Sequence, residues 1–272
     1  MKIISILFVV LSGPLFANIA IPNNSFPGGI AVIDFLTSHS KPQAFYNNVP
    51  LFVQKIRNNQ WQAFVGIPLL TELGEKEITV KTDSEQNIKF NVKYHPYEQE
   101  SINFVGDNNK YLNPNLSHQE RIIKERKLLA SARKYFSSRA LSNSFFIKPI
   151  NNNISSKFGN RRVINGKDSL PHTGIDLRGN IGESIKSAAD GRVILIGDYF
   201  FNGKCVFIDH GQGLISAYMH MQKVLVDYGQ EIKQGELLGT IGMTGKATGP
   251  HLHWSVYLNR TAINPALLLE NN

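Results

Sequence analysis

Between Gly28 and Tyr97 the apolar residues come in short runs separated by turn-forming residues: Ile30 to Phe35, Pro50 to Ile56, Trp61 to Ile67, Glu77 to Thr82 and Ile88 to Tyr94. Within them Ile78 and Val80 alternate with Thr79 and Lys81, the two-residue period of a strand with one buried face. Five such runs at this spacing predict a small antiparallel β-sandwich of immunoglobulin-like type. After Asn113-Pro114 the period lengthens. Ser117 followed by Glu120 reads as a capping box, and Ile122, Leu129, Ala132 and Phe136 share one helical face, predicting a helix of about twenty residues. From Phe146 to Leu267 the pattern is β-type again, with glycines at short intervals and strands expected at Arg192 to Ile196, Lys204 to Asp209, Leu214 to His220, Glu236 to Ile241 and His251 to Leu258. The expected chain is mostly β: a sandwich over 18–113, a basic helical linker over 114–145, and a second antiparallel β domain over 146–272.

The N-terminus carries a different pattern. Lys2, the apolar run Ile3 to Leu11, and then Gly13, Pro14 and Ala17 have the charged head, short apolar middle and helix-breaking tail of a secretory signal spanning 1–17. Nine apolar residues are too few for a bilayer core, which needs about 20. Export to the periplasm or beyond is therefore expected.

The 272 residues are enough for two domains with real cores, and 42% apolar content excludes a disordered chain. A formal charge of +8 favours an anionic partner such as cell wall, membrane surface or nucleic acid, without choosing among them. Between His118 and Arg139 seven basic residues face only Glu120 and Glu125. That reads first as the solvated face of a helix joining two domains. Cys205 is the sole cysteine, so an internal disulfide and any zinc module needing two thiolates are excluded. A metal here would have to be held by histidines and carboxylates.

Such residues cluster in the C-terminal half. His172 and Asp176 are four apart, His251 and His253 two apart in a β-type run entered through Gly249-Pro250, and Ser216, Tyr218 and His220 alternate with Ile215, Ala217 and Met219. Alternation places His251 and His253 on one face of their strand, with Leu252 and Trp254 on the other. Three segments can thus aim four histidines and one aspartate into one cleft. A hydrolytic zinc site uses three protein ligands and an open position for water, with further groups to move protons. The count fits three ligands and two spare imidazoles.

In order along the chain, Phe158-Gly-Asn-Arg161, His172-Thr-Gly-Ile-Asp176, Ala189-Asp-Gly-Arg-Val193, Asp209-His-Gly-Gln-Gly213, Tyr218-Met-His220, Gly235-Glu-Leu-Leu-Gly239 and Thr248-Gly-Pro-His-Leu-His253 resemble the lysostaphin/LytM-type zinc metallopeptidases that cut peptidoglycan peptides. The resemblance runs from about Ser155 to Pro265. It implies one Zn2+ per chain held by His172, Asp176 and His253, with His220 and His251 as the catalytic imidazoles. Methionine at 221 stands where such proteins usually carry leucine, a swap that conserves volume. No metal or catalytic position is missing, which argues against the family's ligand-less activators.

His39, His95, His118 and His210 are read as surface or turn residues, and Arg161 as a structural ion-pair partner or a substrate contact. The implied activity is hydrolysis of peptidoglycan stem-peptide cross-links. Export and the sandwich favour the D-Ala to meso-diaminopimelate link over a glycine bridge, by an endopeptidase or carboxypeptidase. The alternative is a non-catalytic murein-binding activator of another hydrolase. No nucleic-acid partner is expected, and any membrane contact would be peripheral.

Overall fold

The computed structural model describes residues 21–104, 110–141 and 145–270; the signal-like stretch 1–17 lies outside them. The N-terminal strands are β1 (Ile30–Leu36), β2 (Gln43–Tyr46), β3 (Val49–Pro50), β4 (Phe52–Arg57), β5 (Gln60–Gly66), β6 (Gly74–Lys81), β7 (Glu85–Val92) and β8 (Gln99–Ile102). They form an antiparallel sheet ordered β1-β5-β4 and another ordered β3-β2-β6-β7. Ile33, Trp61, Val65, Ile78, Val80 and Phe90 fill the space between the two, as the alternating pattern requires. All five expected strands are present. The missed β2 and β3 are four and two residues long, too short for periodicity to register.

The β1-β5-β4 sheet is buried on both faces. Its reverse side presents Ile30, Phe52 and Phe64 to the core of the C-terminal half, which explains why Trp61 to Ile67 reads as an almost unbroken apolar run. Asn259, itself buried, ties the halves together: its side-chain oxygen accepts from the Gly66 amide at 3.2 Å and its amide group donates to the Pro50 carbonyl at 3.3 Å.

Helix α1 (Leu116–Arg133) buries Ile122, Leu129 and Ala132 as its periodicity predicts. Its cap is Asn115, two residues before the expected Ser117. The Asn115 carboxamide oxygen accepts from the His118 amide at 2.9 Å, while the Ser117 hydroxyl donates to that same oxygen. Phe136 lies past the helix end and is 42% exposed. Nor is the helix a free linker. Glu125 accepts from the Phe200 amide at 2.7 Å and Arg121 donates to the Asp198 carbonyl at 2.8 Å, docking α1 on the C-terminal sheet.

That sheet comprises β9 (Ile154–Ser156), β12 (Ile175–Arg178), β13 (Ser184–Lys186), β14 (Gly191–Tyr199), β15 (Gly203–Gly211), β16 (Leu214–Val224), β17 (Glu231–Ile232), β18 (Leu237–Ile241), β19 (His251–Leu258) and β20 (Thr261–Ile263), while β10 (Arg161–Ile164) and β11 (Lys167–Asp168) belong to a separate small sheet with β8. The main path runs β17-β14-β15-β16-β19-β12-β9. Leu177, Val206, Tyr218, Leu252 and Trp254 pack beneath it. On the opposite face α1 covers Cys205, Phe207, Ile215 and Ala217, leaving the rest of that face as the floor of a groove. Between the named strands described, the pairing is antiparallel except where β8 joins β10 in parallel, Gln99 opposite Arg161 through Ile102 opposite Ile164. The segment leaving the sandwich thus completes a small sheet of the C-terminal half.

Replacing Asn259 with Ala leaves the buried Gly66 amide without a partner, and the left-handed backbone at 259 (φ 51°) disfavours the new residue as well. We expect a loss of about 1–3 kcal/mol in chemical denaturation. An unchanged midpoint would mean the two halves are not coupled through this residue.

Candidate metal centre

Strand register builds the site. Asp176 on β12 lies directly opposite His253 on β19, and His253 lies opposite Met219 on β16. His172 enters from the loop before β12, which must cross β19 closely: a Cβ added at Gly174 would meet the His253 ring and the Trp254 carbonyl, both at 2.6 Å. Only glycine passes there.

His220 arrives by another route than simple alternation. Tyr218 pairs with Trp254 and faces the core, so an even step along β16 would bury His220 beside it. Instead Val206 opposes Tyr218 while Lys204 opposes Met221: three steps along β16 answer two along β15. This bulge, with φ 60° at His220, turns the imidazole to the face carrying His251 and His253 and returns Met221 to the core. The expectation that Ser216, Tyr218 and His220 share a face is therefore corrected, although His220 still reaches the cleft. Its ring centre lies 4.8 Å from that of His251 and 6.0 Å from that of His253.

Hydrogen bonding sets the tautomers. His172 Nδ1 faces the Lys157 carbonyl at 2.9 Å, an acceptor only, so Nδ1 carries the proton and Nε2 a lone pair. The Ser255 hydroxyl donates to the Thr173 carbonyl at 3.0 Å, so its oxygen accepts from His253 Nε2 at 2.8 Å and leaves the lone pair on Nδ1. Both lone pairs point at one place. His172 Nε2 lies 3.1 Å from His253 Nδ1, and Asp176 Oδ1 lies 3.1 Å and 2.7 Å from the two nitrogens. Nitrogen and oxygen donors with no thiolate, each anchored at its far side, are the set a zinc ion takes. Burial alone raises the Asp176 pKa, but when His172 and His253 carry protons on the nitrogens facing it, their bonds and charge hold it well below the usual carboxylate range, and a cation would stand in for those protons. Burial pushes His253 down to about 4, against the pull of Asp176.

The two remaining imidazoles share one orientation. His220 Nδ1 donates to the Thr244 carbonyl at 2.7 Å and His251 Nδ1 to the Gly249 carbonyl at 2.8 Å, so each turns an Nε2 lone pair to the cleft. His251 Nε2 is 3.8 Å from Asp176 Oδ1. Burial, reinforced by the neighbouring His251 and His253, pushes His220 down to about 3, keeping it neutral.

Several contributors were not singled out from sequence. Ser255 could have been, since it lies two residues after His253 on the same strand face. Arg162 bonds Asp176 Oδ2 at 2.9 Å and lies 3.6 Å from Glu100 of β8, whereas its neighbour Arg161 is exposed. Nothing local in the sequence distinguishes these adjacent arginines. Two cavities flank the site, about 350 Å3 beside His220 and His253 and about 230 Å3 beside Asp176 and His251, with Ile102 and Arg162 lining both. What borders the cleft is thus the segment Gln99–Phe104 leaving the sandwich.

Comparison with known proteins gives two family matches: Peptidase family M23 over residues 170–265, and Peptidase family M23 N-terminal domain over residues 23–94. The chain is 38% identical over 130 residues to the peptidoglycan DD-endopeptidase ShyC of Vibrio cholerae, covering 47% of this chain and 30% of that one. It is 33% identical over 195 residues to an uncharacterized metalloprotease of Buchnera aphidicola, covering 65% and 51%. It therefore spans about half or less of these relatives. A crystal structure of a candidate M23 peptidase from Pseudomonas aeruginosa matches with a TM-score of 0.77 at 38% identity, over 91% of this chain and 96% of that one.

Among the histidines expected at the surface or in turns, His95 is exposed and stacks on Phe26, while His39 and His118 are partly covered. His210 is instead fully buried. It bonds the Asp190 carbonyl at 2.6 Å and the Ser216 hydroxyl at 2.7 Å, and burial lowers its pKa to about 4. Its folded pKa thus lies below the unfolded value of about 6.5, so the unfolded chain binds the proton more readily. His210 contributes stability that is complete above pH 6.5 and lost as pH falls towards 4. The melting temperature should drop between pH 7.5 and 4.5, and by less in His210→Gln. An equal drop in both would remove His210 as a cause.

Proposed function

The chain belongs to peptidase family M23, and on that premise we propose that it is an exported, zinc-dependent hydrolase of peptidoglycan stem-peptide cross-links. The observation that carries this reading is the convergence of two imidazole lone pairs and a carboxylate oxygen within 3.1 Å. Lone pairs so placed repel unless a cation or shared protons lie between them. His172, Asp176 and His253 are the proposed ligands.

A divalent ion there supplies Lewis acidity, polarising the scissile carbonyl, steadying the charge on its oxygen and acidifying water. The chain's own groups do the rest. His251, beside Asp176 and with its lone pair free, takes the proton of the attacking water and returns it to the leaving amine. The His220 Nδ1–H is committed to its hydrogen bond with the Thr244 carbonyl, so Nε2 has only a lone pair to offer. That suits it to accept and orient the second hydrogen of the water, rather than to donate to an oxyanion. Thr244 and Gly249 hold the two rings, and Arg162 fixes the Asp176 carboxylate.

Peptidoglycan lies outside the cytoplasmic membrane, which agrees with the signal-like N-terminus and the positive charge. ShyC is named a DD-endopeptidase, supporting the D-Ala to meso-diaminopimelate amide as the bond cut. No helix among the described residues is long and apolar enough to cross a membrane.

Incubated with purified sacculi, the zinc-loaded mature chain should convert cross-linked muropeptide dimers to monomers, read by mass spectrometry, and a chelator should stop it. Unchanged dimers with murein binding retained would favour the non-catalytic activator. In purified variants, His253→Ala should lose zinc. His220→Ala and His251→Ala should keep zinc and lose about 10²- to 10⁴-fold in rate; the reverse pattern of metal content would overturn the assignment.

A further inference from the structure

The cavity beside His220 and His253 is lined by Arg133, Arg162 and Lys246, and by no carboxylate among the described residues. Arg162 is already committed to Asp176 and Glu100. Arg133 lies over the Tyr257 ring at 5.7 Å. Lys246 is the unusual one. Its ammonium, half-buried, sits 5.1 Å from the Phe104 ring and 6.0 Å from that of Phe201, and it has no hydrogen bond or ion pair among the described residues. Burial and, secondarily, the charge of Arg162 push its pKa down. A partly desolvated cation held only by ring faces is under-compensated, and an anion is what would complete it.

Nor is Lys246 a loose surface lysine. Its backbone amide donates to the Phe201 carbonyl at 2.8 Å. Two residues earlier, Thr244 receives His220 Nδ1 on its carbonyl and sends its hydroxyl to the Met221 carbonyl at 2.8 Å. Gly245, at φ 72°, makes the turn between them, where an added Cβ would strike the Gly203 backbone at 2.3 Å. One short, pinned loop therefore positions both a proposed catalytic imidazole and this cation.

Resting on the function proposed above, we propose that Lys246 is the subsite for a free substrate carboxylate on the carbon that bears the scissile nitrogen, with Arg133 adding longer-range attraction. The chemistry of the cross-link supplies that group. When a diamino dicarboxylic acid is acylated on its second amine, the carboxylate on the same carbon remains free. A terminal residue removed by a carboxypeptidase carries one in the same place. A glycine bridge has no carboxylate at its internal amides, so an ammonium here selects against it.

The test uses the zinc-loaded mature chain and two synthetic cross-linked peptides, differing only in whether that carboxylate is free or amidated. Wild type should prefer the free form by about 10- to 100-fold in kcat/KM, largely through KM. Lys246→Met, which keeps an apolar stem against the two rings, should lose this factor on the free peptide and leave the amidated one unchanged. Lys246→Arg should retain most of the preference. Zinc content and melting temperature should be unaltered. Equal cleavage of both peptides by wild type would overturn the subsite while leaving the hydrolase intact, as would an equal loss on both in Lys246→Met. Cleavage of neither peptide by wild type would overturn the parent reading and the subsite with it.

Discussion

Three electron-rich atoms from two strands and a loop are held closer to one another than neutral packing favours, and the fold makes that possible. The pairing of β12 with β19 sets Asp176 against His253, while Gly174 lets the preceding loop deliver His172 across β19. Behind each ring a fixed acceptor removes the choice of tautomer: the Lys157 carbonyl for His172, and Ser255, itself bound to Thr173, for His253. The supports are backbone carbonyls and a short side chain, which fix the ring orientations without long flexible links. Arg162 does the same for the far oxygen of Asp176, and it reaches the site from β10, whose parallel partner β8 comes from the sandwich segment.

Much of this was legible in the residues. The five sandwich strands and the five C-terminal strands follow from short β-type runs bounded by turn residues, and α1 from Ile122, Leu129 and Ala132. The site residues lay in short motifs whose spacing already placed His251 and His253 on one strand face, with Leu252 and Trp254 buried behind them. Illegible parts share a physical cause: they depend on pairing between distant segments. The bulge that turns His220 over exists because β16 must match β15 while keeping both Tyr218 and Met221 in the core. Nothing in Ser-Ala-Tyr-Met-His announces it. In the same way, β8 reads as a polar tail until β10 is there to pair with it, and Arg162 gains its role only from that geometry. His210 looks like a turn residue by sequence, yet the chain folds over it and Ser216 completes its bonds.

Charge is distributed with a similar economy. Helix α1 spends its apolar stripe on the outer face of the C-terminal sheet and leaves its lysines and arginines outward, with Arg133 at the end that meets the groove. The positive balance of the sequence therefore continues into the cleft, where the Lys246 ammonium lies against the rings of Phe104 and Phe201. The sandwich, for its part, is joined to the sheet through a shared apolar interface and through Asn259, so the segment Gln99–Phe104 is anchored at the sandwich end and paired at the groove end.

The most direct examination of the convergent donor set is X-ray absorption at the zinc edge on metal-replete protein after extensive dialysis. The account predicts one tightly held ion in a shell of nitrogen and oxygen at about 2.0–2.2 Å, with the outer-shell scattering of two imidazoles and no sulfur. Retention of no zinc, or an ion surrounded by water without imidazole, would contradict it.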